Sequence, residues 1–595
     1  MLRTKKILSA LMLTFCSASL SLLLVNCNGS GFELADTCFN DGGDPLFSYA
    51  WHLANCGQAG VSRTGGTSGM DLNLRATWSA GILGNGVKVR VSDDGLENTH
   101  EDLKGNFQTV ALRSRDYSLS ATPTPNSSVW TSATAQPFNC PNANPNLSAY
   151  DDHGTAVAGL IAAVGGNGVG SRGVAPKAQL SIANLLSCKI AQTDDMLIDQ
   201  ATGTDFDILN MSWGVDQNKK PVVNTTYESQ LRYAVTNYRS GKGAILVKAA
   251  GNFLATECND TAFDGISDNE TVCIGNSNFD GDNTNPYQIM VGALNAKGIA
   301  SSYSSPGANL WISGFGGEFG YSSPAMVTTD RTGCANGFSY TGASNLLSFE
   351  NGASPNANCN YTATFNGTSS AAPTISGVAA LLLEANPNLT WRDVKYILAK
   401  TADPVDYVTT GSIPHPRAKY VSIPTGYSWE LPWRTNGAGF KFQNWYGFGK
   451  VNVDAAVALA KSYASTLGTY HESAWANFTG LNLVVPANSA AGETSTVTIS
   501  AADQNVKIES VQIRLEVTTT DISDLAIELT SPSGMRSIVV NMHNSLKELD
   551  NYTNEVFLTN AFYQERSTGL WTLKVISGGS SATITSWGIR FTGVK

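Results

Sequence analysis

The chain has 595 residues, 42% hydrophobic and only 14% charged, with 57 Gly and a formal net charge of −10. That length exceeds one ordinary core and implies at least two domains. Net acidity without a basic stripe excludes a nucleic-acid ligand, because nothing is there to neutralise phosphates. The chain opens MLRTKK and continues ILSALMLTFCSASLSLLLV, a basic head on an apolar body. Residues 1–26 therefore read as an export signal. The run ends LLLVNC, which sets Cys27 where a bacterial lipoprotein carries its lipid, although Asn26 is unusual before such a cysteine. A lipidated surface form, an uncleaved anchor and a soluble secreted form all stay open. Residues 27–43 form a short polar linker.

Eight of the ten Cys lie beyond Cys27, and an even number in an exported chain implies disulfides. Sequence neighbours are the simplest partners, with other connectivities open. No CxxC pair occurs and His is scarce, so a structural zinc site is not expected.

From about residue 71, strand-like and helix-like stretches alternate. GVKVRVSDDG (86–95) is an apolar strand running into a Gly turn, and HGTAVAGLIAAV (153–164) is a helix of small residues. AQLSIANLL, FDILNMSWG and GAILVKAAGN are three more buried strands, each ending in turn residues. Strands separated by helices argue an α/β fold with a parallel sheet covered on both faces, and such sheets bind ligands at their carboxyl ends. Segments 308–360 and 401–445 read as insertions or long loops. A helix at 453–465 closes this domain. Beyond 470, TSTVTISA, KIESVQIRLEV, LAIELTSPSG and ITSWGIRFTG alternate apolar and polar residues, which predicts an antiparallel β sandwich or jelly roll.

Four strand or helix ends carry reactive side chains: Asp93 in VSDDG, His153 in DDHGT, Asn252 in AAGN and Ser369 in NGTSSAAP. A Ser hydroxyl needs a His to take its proton, and the His needs a buried carboxylate to fix its tautomer. An amide donor must then meet the developing oxyanion. Each role has one candidate. Singly, these motifs read as a turn, a structural His and a helix cap; together they argue nucleophilic catalysis.

The segments VSDDGLENTHEDL, HGTAVAGLIAA, NMSWG, AAGN and GTSSAAP resemble the subtilisin-type serine peptidases, the kexin/furin branch in particular. The resemblance covers about 44–595. It implies a subtilisin-like catalytic domain at 44–465 and a P domain, an antiparallel jelly roll, at 470–595. By the same resemblance, Asp93, His153 and Ser369 form the triad and Asn252 the oxyanion hole. Ser212, Trp213 and Gly214 match the strand that pairs with substrate backbone. Asp94, Asp151 and Asp280 match acidic pocket residues, so basic side chains are expected before the cut, with relaxed demands further upstream; a solvated Asp-Gly turn at Asp280 and Asp282 is the alternative reading. A structural Ca²⁺ site would map to Asp44 and Asp102, the Asn167 side chain, and carbonyls of Val164, Val169 and Ser171, an oxygen-only set that suits calcium. The second convertase calcium site needs a Glu near Ser305, which is absent.

About sixteen residues separate Cys27 from Asp44, too few for the family's inhibitory prodomain. Either the chain folds unaided or a separate chaperone or inhibitor does that work; polypeptide substrates are the other expected partners. The competing readings are a surface-anchored binding module with a degenerate protease half, and a lipase or esterase. Lipases place Ser before Asp and His, an order this chain reverses.

Overall fold

Strand β1 (Lys88–Asp93) sits inside a sheet with both of its faces covered, so every residue after Lys88 is buried although only Val89 and Val91 are apolar. Six further strands join it: β2 (Arg115–Asp116), β3 (Gln179–Asn184), β4 (Ile208–Met211), β5 (Ile245–Ala249), β6 (Gln288–Leu294) and β7 (Ile312–Phe315). They lie in the order β2–β3–β1–β4–β5–β6–β7. Every neighbouring pair runs parallel. The chain moves outward from β1 in one direction, then returns to β4 on its other side. The carboxyl ends of β1 and β4 thus meet at a topological switch point.

This is a computed structural model, which describes residues 43–107, 114–117, 152–187, 192–341 (apart from 216, 218, 255 and 258–271), 347–406, 423–500, 504–545 and 549–595. The export signal, Cys27 and Asp151 lie outside the described residues. No described helix is long and apolar enough to cross a membrane.

Helix α1 (His153–Ala162) is buried throughout apart from His153. Gly154 permits this: a Cβ there would stand 2.0 Å from the Gly95 carbonyl. Helix α2 (Thr368–Ala385) packs on α1 and is buried around its circumference, which explains its run of small and aliphatic residues. Pro373 sits inside α2, where its missing N–H leaves the carbonyl of Ser369, four residues earlier, without its helical donor.

Segment 308–360 departs from the insertion predicted above. It supplies β7, the edge of the main sheet, and β8 (Met326–Thr329), which pairs antiparallel with β9 (Tyr361–Phe365). Glycines interrupt LWISGFGG, so the four-residue strand becomes visible only through its pairing with β6. Cys334 and Cys359 form a disulfide, and Cys56 is also disulfide-bonded. The remaining cysteine side chains lie outside what the structure describes.

Beyond residue 488 the chain forms two antiparallel sheets. One has the order β10 (Ser489–Ile499), β15 (Gly569–Ser577), β12 (Leu525–Thr530), β13 (Arg536–Val540). In the other, β11 (Lys507–Thr518) lies between β14 (Tyr552–Thr559) and β16 (Ala582–Val594). The two halves share a core. Tyr427 and Trp429, from the stretch read as a loop, pack with Leu254 and Ile274 against Ala526, Met542 and Ile576 of the jelly roll. Arg392 adds a buried ion pair to Glu509, its Nε 3.0 and 2.9 Å from the two carboxylate oxygens.

Candidate active site

Asp93 is the last residue of β1 and is fully buried. Its Oδ1 accepts from Nδ1 of His153 at 2.8 Å and from the Asp94 N–H at 2.9 Å. With Nδ1–H committed to Asp93, the imidazole keeps Nε2 as its basic nitrogen. Phe365, at the end of β9, packs edge-on against the ring at 5.2 Å and limits its tilt. Burial alone would depress the His153 pKa. Asp93 outweighs that, with Asp94 and Asp152 adding to it, and the value rises to about 9.

Parallel register sets Ser92 of β1 opposite Met211 of β4, so Asp93 stands beside Ser212. Ser212 is coupled to Ser369, the second residue of α2. The Ser369 hydroxyl donates to the Ser212 carbonyl at 3.0 Å, and the Ser212 hydroxyl donates to the Ser369 carbonyl at 2.9 Å. That second bond uses the carbonyl that Pro373 leaves free. Behind it, the Asn210 amide donates to Ser212 Oγ at 2.9 Å and accepts from Ser376 of α2 at 2.7 Å.

Asn252 lies three residues past β5. Its Oδ1 accepts from the Thr368 N–H at 2.8 Å and the Thr368 hydroxyl at 2.9 Å, while that hydroxyl accepts from the Gly251 N–H at 3.0 Å. The amide is thereby oriented with Nδ2 outward. Gly367 takes φ +96°, and a Cβ there would stand 3.0 Å from Nδ2 of Asn252 and 3.4 Å from the Ser369 nitrogen. Two N–H donors therefore flank one small space that only a glycine leaves open. Thr368 went unnoticed in the sequence, where it reads as a helix-start residue.

Trp213, Gly214 and Val215 continue past β4 toward solvent, with Val215 55% exposed. Trp213 Nε1 donates to Ser92 Oγ at 3.2 Å. Asp94 is nearly buried, and its two oxygens accept from the His153 and Gly154 N–H groups at 3.1 and 2.7 Å. Its carboxylate thus caps the first turn of α1, and burial with neighbouring Asp93 pushes its pKa well up. Asp280 is buried against Lys248, their Oδ2 and Nζ 3.1 Å apart. The sequence marks Lys248 only as a lone charge inside an apolar strand.

The proposed calcium residues gather around one loop. Asp44 accepts from Gly166 N (2.9 Å to each oxygen) and Asn167 N (3.2 Å). Asp102 accepts from Asn167 Nδ2 at 2.8 Å and Ser171 N at 3.3 Å. Val164 N donates to the Asp102 carbonyl at 2.8 Å, and Val169 N to Asn167 Oδ1 at 3.1 Å. Arg172, another missed residue, reaches Asp44 Oδ2 at 2.8 Å. Among the described residues the buried Ser171 hydroxyl has no partner. Two buried carboxylates against one guanidinium, with amide and hydroxyl oxygens beside them, fit a hard cation. No group of three or more His, Cys, Asp or Glu that could hold a metal occurs among the described residues.

Comparison with known proteins bears on all of this. The model of the subtilase family matches residues 84–449. The chain belongs to the subtilase family. A second model, the proprotein convertase P-domain, matches residues 508–591. An extracellular serine protease of Aeromonas sobria is 34% identical over 564 residues, covering 90% of this chain and 84% of that protein. Kexin of Saccharomyces cerevisiae is 28% identical, covering 92% of this chain and 56% of its own length. The crystal structure of the A. sobria serine protease in complex with its chaperone superposes with a TM-score of 0.80 at 28% identity, covering 96% of this chain and 98% of that one. This subtilase is accordingly a subtilisin-like serine endopeptidase with kexin-like relatives.

Proposed function

We propose that the protein is an exported endopeptidase in which Asp93, His153 and Ser369 form a catalytic triad and Asn252 the oxyanion hole. Ser369 Oγ turns from the Ser212 carbonyl toward His153 Nε2, which takes its proton as the oxygen attacks the substrate carbonyl. Asp93 stays ionised and stabilises the imidazolium. Asn252 Nδ2 and the Ser369 N–H receive the oxyanion. The imidazolium then protonates the leaving amine, and water releases the acyl group by the reverse sequence. The exposed 213–215 segment is offered to substrate backbone. The observation that carries this reading is the 2.8 Å bond between His153 and buried Asp93 at the strand end beside Ser212, whose carbonyl holds the Ser369 hydroxyl.

The acidic residues Asp94, Asp151 and Asp280 support a preference for basic residues before the cut, a relaxed one because Asp280 is already paired with Lys248. Asp44, Asp102, Asn167, Ser171 and the neighbouring carbonyls of Val164 and Val169 would hold a structural Ca²⁺. There it would tie the segment around Asp44 to the loop after α1. A separate folding chaperone is a proposed partner, supported by the chaperone complex of the A. sobria relative. The basic head and apolar body at 1–26 support export, with lipidation of Cys27 as the proposed alternative to a soluble secreted form. Digesting a peptide library with purified protein and sequencing the cut sites tests the reading. Cleavage abolished by a serine-directed phosphonate supports it; cleavage that survives the phosphonate, or that needs a free thiol, refutes it.

A further inference from the structure

The ammonium of Lys248 lies under the part of the cleft where a substrate side chain would be chosen. Lys248 sits in β5, opposite Met211 of β4, and its side chain is fully buried. Nζ donates to the Trp213 carbonyl at 2.9 Å and to Asp280 Oδ2 at 3.1 Å, and lies 4.9 Å from the Trp213 ring centre. Asp280 is 1% exposed and used on both oxygens: Oδ2 also accepts from Val215 N at 3.2 Å, and Oδ1 from Asp282 N at 3.0 Å. A Cβ on Gly214 would stand 2.8 Å from Asp280 Oδ2 and 3.4 Å from Lys248 Nζ. The ion pair therefore lies directly beneath residues 213–215, the segment that follows Ser212 in the chain. Gln217 closes the same loop by donating to the Ala250 carbonyl at 2.5 Å.

We propose that Lys248 is the built-in counter-ion of Asp280 and sets how strongly this cleft selects a cationic side chain, holding that selection weak. The inference rests on the peptidase reading above. A free buried carboxylate is a strong receptor for Lys or Arg, because a desolvated charge gains most from a partner. Asp280 already has that partner. An incoming guanidinium must share the carboxylate with a fixed ammonium about 3 Å from it, and the two cations repel. Asp282, half-buried and next but one in the chain, is left to supply the residual preference. Lys248 acts through Asp280; it is a positioning residue, not a catalytic one.

The test compares kcat/KM for peptides differing only in Arg or Gln at the residue before the cut. Wild type should favour Arg by less than tenfold, and Lys248→Met should raise that ratio at least tenfold. Lys248→Arg, which keeps the charge, should restore the wild-type ratio, a rescue that loss of packing alone would not predict. An unchanged or lower ratio in folded Lys248→Met overturns the proposal. Should that variant fail to fold, Lys248→Met/Asp280→Asn replaces it, removing both charges together. The double variant should keep the wild-type ratio within about threefold; a tenfold drop would show that Asp280 selects cations despite Lys248 and overturns the proposal. Labelling of Ser369 by a phosphonate reports the nucleophile independently of this pocket. Loss of labelling in wild type counts against the peptidase reading itself, whereas an unexpected ratio with labelling intact counts against Lys248 alone.

Discussion

Ser212 and Ser369 hold each other through two reciprocal hydrogen bonds, hydroxyl to carbonyl in both directions, at 2.9 and 3.0 Å. The arrangement depends on Pro373, whose missing N–H leaves the Ser369 carbonyl to Ser212. The Asn210–Ser376 bond then anchors Ser212 to the same helix. The backbone that carries Ser369, the proposed nucleophile, is thus held in place while its hydroxyl can still turn toward His153.

Asn252 should be separable from the triad. Asn252→Ala should lower kcat by about 10²- to 10³-fold with little change in KM, since the amide meets charge that exists only in the transition state. Thr368→Val should give a smaller loss of the same kind by freeing the amide to turn. Steady-state kinetics on one peptide checks both; a pure KM effect would contradict the oxyanion role.

Activity should depend on pH through His153. Only the neutral imidazole accepts the Ser369 proton, and the carboxylates of Asp93, Asp94 and Asp152 hold the imidazolium against the opposing effect of burial, up to about 9. The acid limb of kcat/KM should therefore lie on the alkaline side of the ordinary histidine value of about 6.5. Asp152→Asn removes one of these stabilising charges, so it should move that limb to lower pH. A limb at or below the ordinary value in wild type, or an upward shift in the variant, would contradict this.

Chelation should lower the melting temperature. An ion bound only by the folded chain adds its binding free energy to stability, about 2.7 kcal/mol at a hundredfold excess over Kd. Asp102→Asn should abolish most of the response. Asp44→Asn should do so too, but with an added loss because it also strips Arg172 of its partner. Identical melting curves with and without chelator would show that the site takes no metal.

The jelly roll should be inseparable from the catalytic half. Arg392→Met leaves Glu509 buried without its counter-ion, which costs about 3 to 5 kcal/mol. Pairing it with Glu509→Gln should recover part of that loss. A chain ending near residue 467 would expose Tyr427 and Trp429, and should be insoluble or inactive when refolded. Denaturant titration and expression of the truncated chain check these outcomes.

Much of the site was legible because each of its residues sits in a short motif at an element end. The predicted strand 86–95 contains β1 ending on Asp93, and the predicted helix 153–164 contains α1 starting on His153. What stayed hidden depends on pairing across the fold. β7 is only four residues long and becomes a strand through β6. Tyr427 and Trp429 looked like loop aromatics because their partners lie a hundred or so residues away in the jelly roll. Arg90 and Lys248 are charges inside buried strands, which announces an internal partner without naming it; the partners are Asp205 and Asp280. No periodicity could have linked Arg172 to Asp44.

The central claim is that Ser369 is the nucleophile. A serine-directed phosphonate, followed by peptide mass mapping, should label Ser369 alone, and Ser369→Ala should fold with an unchanged melting temperature while losing about a million-fold in kcat. Labelling at another serine, or substantial hydrolysis by Ser369→Ala, would contradict the account.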